Sequence, residues 1–388
     1  MPADFAFTVT HTDGRARRGH LRLPHGEIET PVFMPVGTRA AIKGLAHDQV
    51  MALDPAIILG NTYHLHLRPG DDLIARAGGL HAFMGWERPI LTDSGGYQVF
   101  SLAGRRSITE NGATFRSHID GRAHVLTPET AVDIQARLGS DIAMIFDECA
   151  PWPATGDVVE SAMARTLRWA RRGRDHFLGG QFLEASANDR PRATPGQAQF
   201  GIVQGGTDLN LRDASVAGTV AIGFEGYAIG GLSVGEPVAV MYDVVAHTAA
   251  QLPAEQPRYL MGTGMPDDLV ECVARGIDMF DCVLPTRNAR NGQLLTRHGL
   301  LSIKNARYAE DLRPPDPDCD CPTCRRHSRA YLRHLYMVGE MAAATLNTVH
   351  NLHFYLDTMR GIRKAIEFGT FDHFRQEFHR TFSRRQVT

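Results

Sequence analysis

Lysine is almost missing from this chain. Only Lys43, Lys304 and Lys364 occur among 41 basic residues; the other 38 are arginine. Codon bias accounts for much of that skew, yet the arginines supply planar guanidinium forks suited to phosphates and base edges. Also missing is any apolar run long enough to span a bilayer, so no helical membrane protein and no membrane partner are expected. Met1 to Thr10 lack a basic segment followed by an apolar core, so we expect no secretory signal and a cytoplasmic protein. Cysteine is scarce, six in 388 residues, and three of the six crowd into Cys319, Cys321 and Cys324. That spacing is too tight for a disulfide framework and suits a metal. Strong net charge is absent too: the balance is −2, so binding to a polyanion would have to come from a local patch.

What is present is an ordinary globular composition, 43% hydrophobic and 22% charged. Phe5 to Val9 and Gly19 to Leu23 alternate around Asp13-Gly14, the pattern of a β-hairpin. Eight short apolar runs follow: Thr30–Gly37, Ala56–Gly60, Ile90–Asp93, Asp141–Asp147, Gln199–Gln204, Gly226–Gly231, Arg258–Gly262 and Ile277–Asp281. Helical patterns lie between them, at His47–Leu53, Asp72–Ala77, Pro128–Leu138 and Val158–Arg174. Eight strand–helix alternations predict an α/β fold, a (β/α)8 TIM barrel. We expect an N-terminal β subdomain over residues 1–30 and a barrel over residues 31–388. A zinc-binding subdomain is expected within the latter, at 304–352. Gly104–Val125 reads as a hairpin turning at Asp120-Gly121, and Glu184–Pro195 as a surface loop.

Three stretches carry candidate chemistry, in two candidate sites. Ile90-Leu91-Thr92-Asp93-Ser94-Gly95-Gly96-Tyr97-Gln98 runs from a buried strand into an acid, a hydroxyl and two glycines. Taken alone, it equally describes a helix cap and an ordinary turn. Its counterpart is Met279-Phe280-Asp281-Cys282-Val283-Leu284-Pro285-Thr286-Arg287, again strand, acid, then loop. Carboxylates on two neighbouring strand ends would face one substrate at the barrel's C-terminal face. The second candidate is Cys319-Asp320-Cys321-Pro322-Thr323-Cys324 with His350 downstream. Three thiolates and an imidazole suit tetrahedral Zn²⁺ in a closed, structural shell. The spacing leaves His353, His334 and His327 open as alternative fourth ligands. Tyr331–Leu346 is helical in pattern, which lets His350 fold back on the cysteines.

These motifs, with F-D-E-C at Phe146–Cys149, G-I-V-Q-G-G at Gly201–Gly206, G-G-L-S-V-G-E at Gly230–Glu236 and Y-L-M-G at Tyr259–Gly262, resemble those of the bacterial tRNA-guanine transglycosylases. They stand in family order over nearly the whole chain. The resemblance implies a zinc-carrying barrel enzyme, one zinc ion per subunit, active in queuosine biosynthesis. Such an enzyme replaces guanine at wobble position 34 of GUN-anticodon tRNAs (those for Asp, Asn, His and Tyr) with preQ1, 7-aminomethyl-7-deazaguanine. It implies Asp281 as nucleophile on C1′ and Asp93 as general acid/base. For the base it implies Asp147, Gln204, the Gly231 N–H and the Leu232 carbonyl, with Tyr97 and Met261 sandwiching the ring and Ser94, Gly95 and Gly96 lining the turn. For RNA it implies Gly262, Thr263, Gly264, Met265, Pro266, Asp267 and Asp268, then Thr286, Arg287, Asn288, Ala289 and Arg290. For the metal it implies Cys319, Cys321, Cys324 and His350.

The resemblance also implies a homodimer, with Tyr331, His334 and Glu340 on the segment that matches the contact. Trp152 and Ser233 depart from the family pattern, where Tyr and Ala are usual; neither touches a catalytic group. Related enzymes use queuine or preQ0, and a related subunit is non-catalytic. The presence of both Asp93 and Asp281 speaks against the last. Cys149 and Val234 match the bulkier bacterial pair at the pocket floor, which speaks against queuine. Arg165, Arg168, Arg171, Arg172 and Arg174 read as a solvated helix face; Arg375, Arg380, Arg384 and Arg385 divide evenly between that and an RNA surface.

Overall fold

The computed structural model describes residues 5–102, 106–181, 194–382 and 384. Strands β1 (Ala6–Asp13), β2 (Ala16–Leu23) and β3 (Gly26–Thr30) form an antiparallel meander. The third strand goes beyond the expected hairpin; its five residues, Gly-Glu-Ile-Glu-Thr, offer one apolar side chain, too little for a periodicity argument. The chain then enters the barrel at β4 (Val32–Gly37), β5 (Ile58–Gly60) and β6 (Ile90–Thr92). Next comes a three-stranded sheet, β7 (Arg106–Thr109), β8 (Gly112–Arg116) and β9 (Ala123–Leu126), in place of a single hairpin. The barrel resumes with β10 (Ile142–Met144), β11 (Ala198–Val203), β12 (Gly226–Ile229), β13 (Arg258–Leu260) and β14 (Met279–Cys282). Strands β4, β5, β6 and β10 to β14 pair in parallel and close, β14 against β4. All eight expected runs are barrel strands.

Closure places one expectation differently. Asp281 lies in β14 and Asp93 directly follows β6, and β4 and β5 stand between those strands. The two carboxylates therefore meet across the mouth of the barrel, not on adjacent strands.

The bottom of the barrel is tied by carboxylates that have cationic or imidazole partners. Asp141, Glu225 and Asp278 accept the backbone N–H of Ile90, Gln199 and Arg258, each at the start of a neighbouring strand. His25 and His81 stack on each other and both contact Asp141. Arg174 grips Glu225 with two bonds of 2.8 and 3.0 Å, and Arg17 grips Asp278. Fully buried acids of this kind are stable because each is paired and hydrogen-bonded.

Helix Pro128–Leu138 matches its expectation residue for residue. Thr127 caps it through Thr130, Pro128 opens it and Gly139 closes it at φ +69°. Helix Gly156–Gln181 extends beyond the expected Val158–Arg174 at both ends. Four of its five arginines are engaged, Arg165 with Glu148, Arg168 with Glu110, Arg172 with Glu129 and Arg174 with Glu225, and Arg171 is exposed.

The single helix expected over Tyr331–Leu346 is two, Arg329–Met337 and Met341–Glu367. The chain breaks at Gly339, whose φ of +77° only glycine adopts readily. His350 thus sits inside the second helix. The loop expected after Asp281 is instead helix Leu284–Arg290, opened by Pro285 and capped by Asn291. Of the expected surface loop, residues 184–193 lie outside the described residues. No described helix is long and apolar enough to cross a membrane.

Candidate active site and metal centre

Three carboxylates stand at the C-terminal ends of barrel strands, and among the described residues none has a cationic partner. Asp93 follows β6. Its Oδ1 accepts the Thr62 N–H at 2.8 Å; its Oδ2 accepts the Gln98 amide at 2.7 Å and the Asn61 amide. Burial pushes it up to about 6, against those three donors, and the charge of Asp281 adds to the rise. Asp147 follows β10 and is buried. It accepts the Gln204 amide at 2.7 Å and the Ser94 hydroxyl at 3.4 Å. Burial likewise pushes it up to about 6. Asp281 receives the Tyr259 hydroxyl at 2.5 Å and the Gly262 N–H at 2.8 Å, both on Oδ1. Burial raises it, while those two donors oppose the rise. Among the described residues nothing donates to its Oδ2.

The contrast with the barrel's bottom is the informative point. The acids there have Arg or His partners that make them structural. Among the described residues, those at the top have only amides, hydroxyls and backbone N–H groups as partners, so their protons and lone pairs remain available for chemistry.

The glycines expected to line the turn do so for steric reasons. A Cβ on Gly96 would lie 2.7 Å from the Asp147 carbonyl and 3.0 Å from its Oδ1. Gly95 sits at φ +82° against Tyr63. A Cβ on Gly231 would lie 2.3 Å from Gln204 Oε1, so Gln204 and Gly231 converge on one spot. Leu232 is buried beside them. Tyr97 is 54% exposed, which sets it apart from a core residue, and Met261 packs half-buried on the core. Cys149 and Val234 are both half-buried, and Val234 shares a cleft with Gln204, Gly231 and Trp152.

The residues implied for RNA fall into two groups. Gly262 is exposed, Thr263 and Gly264 are buried, and Met265 leads into helix Pro266–Val273. A Cβ on Gly264 would lie 2.1 Å from that of Cys282, so this loop rests on the strand of Asp281. Asp267 and Asp268 are engaged by Arg384, and Asp268 also by Tyr242. In helix Leu284–Arg290, Thr286 and Ala289 are buried and Asn288 bonds Gln293; Arg287 is exposed and Arg290 half-buried. Arg375 and Arg380 pair with Glu271 and Glu377; Arg385 lies outside the described residues.

The sequence reading missed several participants. Asn61, Gln98 and Tyr259 hold the two catalytic candidates, and two of them sit inside quoted motifs. Arg39 and Lys43, after β4, join Arg287 and Arg290 in a group without carboxylate partners among the described residues. Burial and the charges of Arg290 and Arg39 depress the Lys43 ammonium; burial and Arg287 depress Arg290. His64, beside them, is pushed down to about 4 by burial and by Arg39, His118 and Lys43. Such mutual repulsion without a counterion marks a surface suited to a polyanion.

In the C-terminal unit the three cysteine sulfurs and His350 Nδ1 gather tightly. Nδ1 lies 3.8, 3.5 and 3.3 Å from the sulfurs of Cys319, Cys321 and Cys324. A tetrahedral zinc ion spaces sulfur and nitrogen donors about 3.5 Å apart. His350 Nε2 lies 2.8 Å from the Leu295 carbonyl, which only accepts. Nε2 therefore carries the proton and leaves Nδ1 bare for a metal. His353 instead pairs with Asp320. The donor set fits a structural Zn²⁺, and the alternatives that the spacing left open fall away.

A family model described as queuine tRNA-ribosyltransferase matches residues 12–384. A protein of that name from Nitrosomonas europaea is 56% identical over 372 residues, 96% of each chain. One from Shewanella frigidimarina is 53% identical over 378 residues, 97% of this chain and 98% of the other. One from Shewanella baltica is 53% identical over 373 residues, 96% of each.

Proposed function

Because the chain belongs to the queuine tRNA-ribosyltransferase family, enzymes that exchange guanine in tRNA, we propose that it replaces guanine at position 34 of GUN-anticodon tRNAs with preQ1. The observation that carries the mechanism is the unequal solvation of two carboxylates. Asp281 has one oxygen held by Tyr259 and Gly262 and the other without a donor among the described residues, whereas both oxygens of Asp93 are held.

Asp281 Oδ2 attacks ribose C1′ as the C1′–N9 bond breaks, and its electron pair leaves with guanine. Asp93, with a proton affinity near neutrality, supplies the proton that the departing base needs. Guanine leaves and preQ1 enters; Asp93 takes the proton from its N9. N9 then attacks C1′ and expels Asp281, and two inversions give net retention. Asp147 pairs with the base's N1–H and exocyclic amine, Gln204 and the Gly231 N–H with its carbonyl, and the Leu232 carbonyl with the aminomethyl group. Tyr97 and Met261 close over the faces of the ring, with Ser94, Gly95 and Gly96 framing the turn beneath. The target nucleotide leaves its stack to reach this pocket.

The anticodon loop lies over Gly262–Asp268 and Thr286–Arg290, and the Arg39–Lys43–Arg287–Arg290 group takes its phosphates. One structural Zn²⁺ per subunit is held by Cys319, Cys321, Cys324 and His350. Residues 1–30 and 304–352 act as attachments to the barrel, and the enzyme works as a cytoplasmic homodimer in queuosine biosynthesis. PreQ1 is favoured over the queuine of the relatives' names because Cys149 and Val234 fill the pocket floor.

The test is incorporation of radiolabelled bases into a tRNA with guanine at position 34, and into the same tRNA with adenine there. Guanine and preQ1 should enter the first tRNA only. No incorporation of either would sink the proposal; preferential entry of queuine would overturn the choice of base alone.

A further inference from the structure

We infer that Arg212 is a positioning residue of the base pocket: its guanidinium locks Gln204 and the Gly231 N–H into one recognition pair and sets a positive charge behind it, so that the pocket selects a purine bearing a carbonyl there. This rests on the base-exchange reading above.

Arg212 is fully buried, and among the described residues it forms no ion pair. Its Nη1 donates to the Val203 carbonyl at 2.9 Å, its Nε to Gly206 at 2.9 Å and its Nη2 to Gly230 at 2.8 Å. Those acceptors bracket Gln204 and immediately precede Gly231. One side chain therefore ties the end of β11 to the end of β12, beyond the last ladder bond from Gly230 N–H to the Val203 carbonyl.

A buried cation whose hydrogen-bond acceptors are all carbonyls, with the charge of Glu236 acting on it only from a distance, is costly unless its field is used. Here the carbonyl receiving Nη2 and the N–H of Gly231 belong to one peptide group. Pulling on the carbonyl polarises that N–H toward a ligand acceptor. A Cβ on Gly231 would lie 3.6 Å from Nη2, so the charge stands just behind the recognition pair. Burial lowers the guanidinium to about 10, which still leaves it charged at neutral pH. A carbonyl oxygen in the pocket meets this charge favourably; an amino group does not. The same charge stabilises electron density on a departing base.

The experiment compares wild type, R212M and R212K in guanine exchange, with 2,6-diaminopurine as the competitor carrying an amine in place of the carbonyl. R212M should raise the KM for guanine about ten-fold or more while the KM for tRNA stays within about two-fold. It should also narrow the preference for guanine over 2,6-diaminopurine. R212K, which keeps a cation but cannot span three carbonyls, should fall between. A folded R212M with unchanged guanine KM and unchanged preference overturns the inference. If circular dichroism shows R212M unfolded, R212K decides on the same two measurements. A wild type that exchanges nothing overturns the base-exchange reading instead, and calorimetric titration of guanine into wild type and variants then reads this inference separately.

Discussion

At the scale of single residues, the roles proposed for the two carboxylates rest on the way each is held. Asp281→Asn keeps the shape but leaves a neutral amide that attacks C1′ poorly. Exchange should fall by several powers of ten, roughly the loss seen when a covalent route is removed, while tRNA binding survives. Wild type with tRNA and a non-exchanging base analogue should give a protein–tRNA band that persists on a denaturing gel; Asp281→Asn should give none. If Asp281→Asn forms the band and Asp93→Asn does not, the two roles are reversed. Asp147 allows a test without substrate. Its folded value of about 6 exceeds the ordinary 3.8, so between those pH values the folded state holds more protons than the unfolded one. Stability contributed there falls as pH rises, and the full penalty stands above about 6. Asp147→Asn removes that penalty. Relative to wild type it should gain on the order of 1–3 kcal/mol at pH 8 and little at pH 4; equal differences at both pH values would show that Asp147 does not titrate in this window.

At the scale of elements, helix Met341–Glu367 links the candidate metal centre to the barrel. His350 closes the cysteine cluster. Asn347, Asn351 and Tyr355, four residues apart on one face, reach the loops of the site. Asn347 donates to Ala289; Asn351 donates to Pro285 and Gln293 and accepts from Leu295; Tyr355 donates to the Gly264 carbonyl. Cys321→Ser or His350→Ala should lower zinc content and thermal stability together, because binding of such a metal is folding free energy. Exchange activity should decline only in step with the folded fraction. A variant with normal stability and normal metal content would exclude the cluster as the zinc site. The expected single helix before His350 failed on Gly339, since a lone glycine in a helical pattern shows neither whether the chain breaks there nor in which direction it returns.

At the scale of the whole molecule, the C-terminal unit exposes large apolar side chains close together. Leu312 is 82% exposed and Met341 86%, with Tyr331, Met337 and Val338 also open. The proposed homodimer would cover such a surface, and light scattering at micromolar concentration should return twice the chain mass; a monomer mass would count against it. The sequence by itself determined the barrel, because eight apolar runs, seven ending in Gly or an acid and the eighth in Gln204 just before Gly205, admit few other ways of burying both faces of a sheet. It also narrowed the candidate metal donors to within one ligand, because three cysteines in six residues are chemically restrictive. It left open which histidine completes the cluster and how the carboxylates meet. Those depended on barrel closure, which sets β4 and β5 between Asp281 and Asp93, and on the return of helix Met341–Glu367. Arg212 was illegible for the same reason: in sequence it is one of 38 arginines, and only the convergence of β11 and β12 surrounds it with carbonyls. Local pattern records which side chains seek the interior. Which polar groups meet there is decided by long-range contacts that no local window contains.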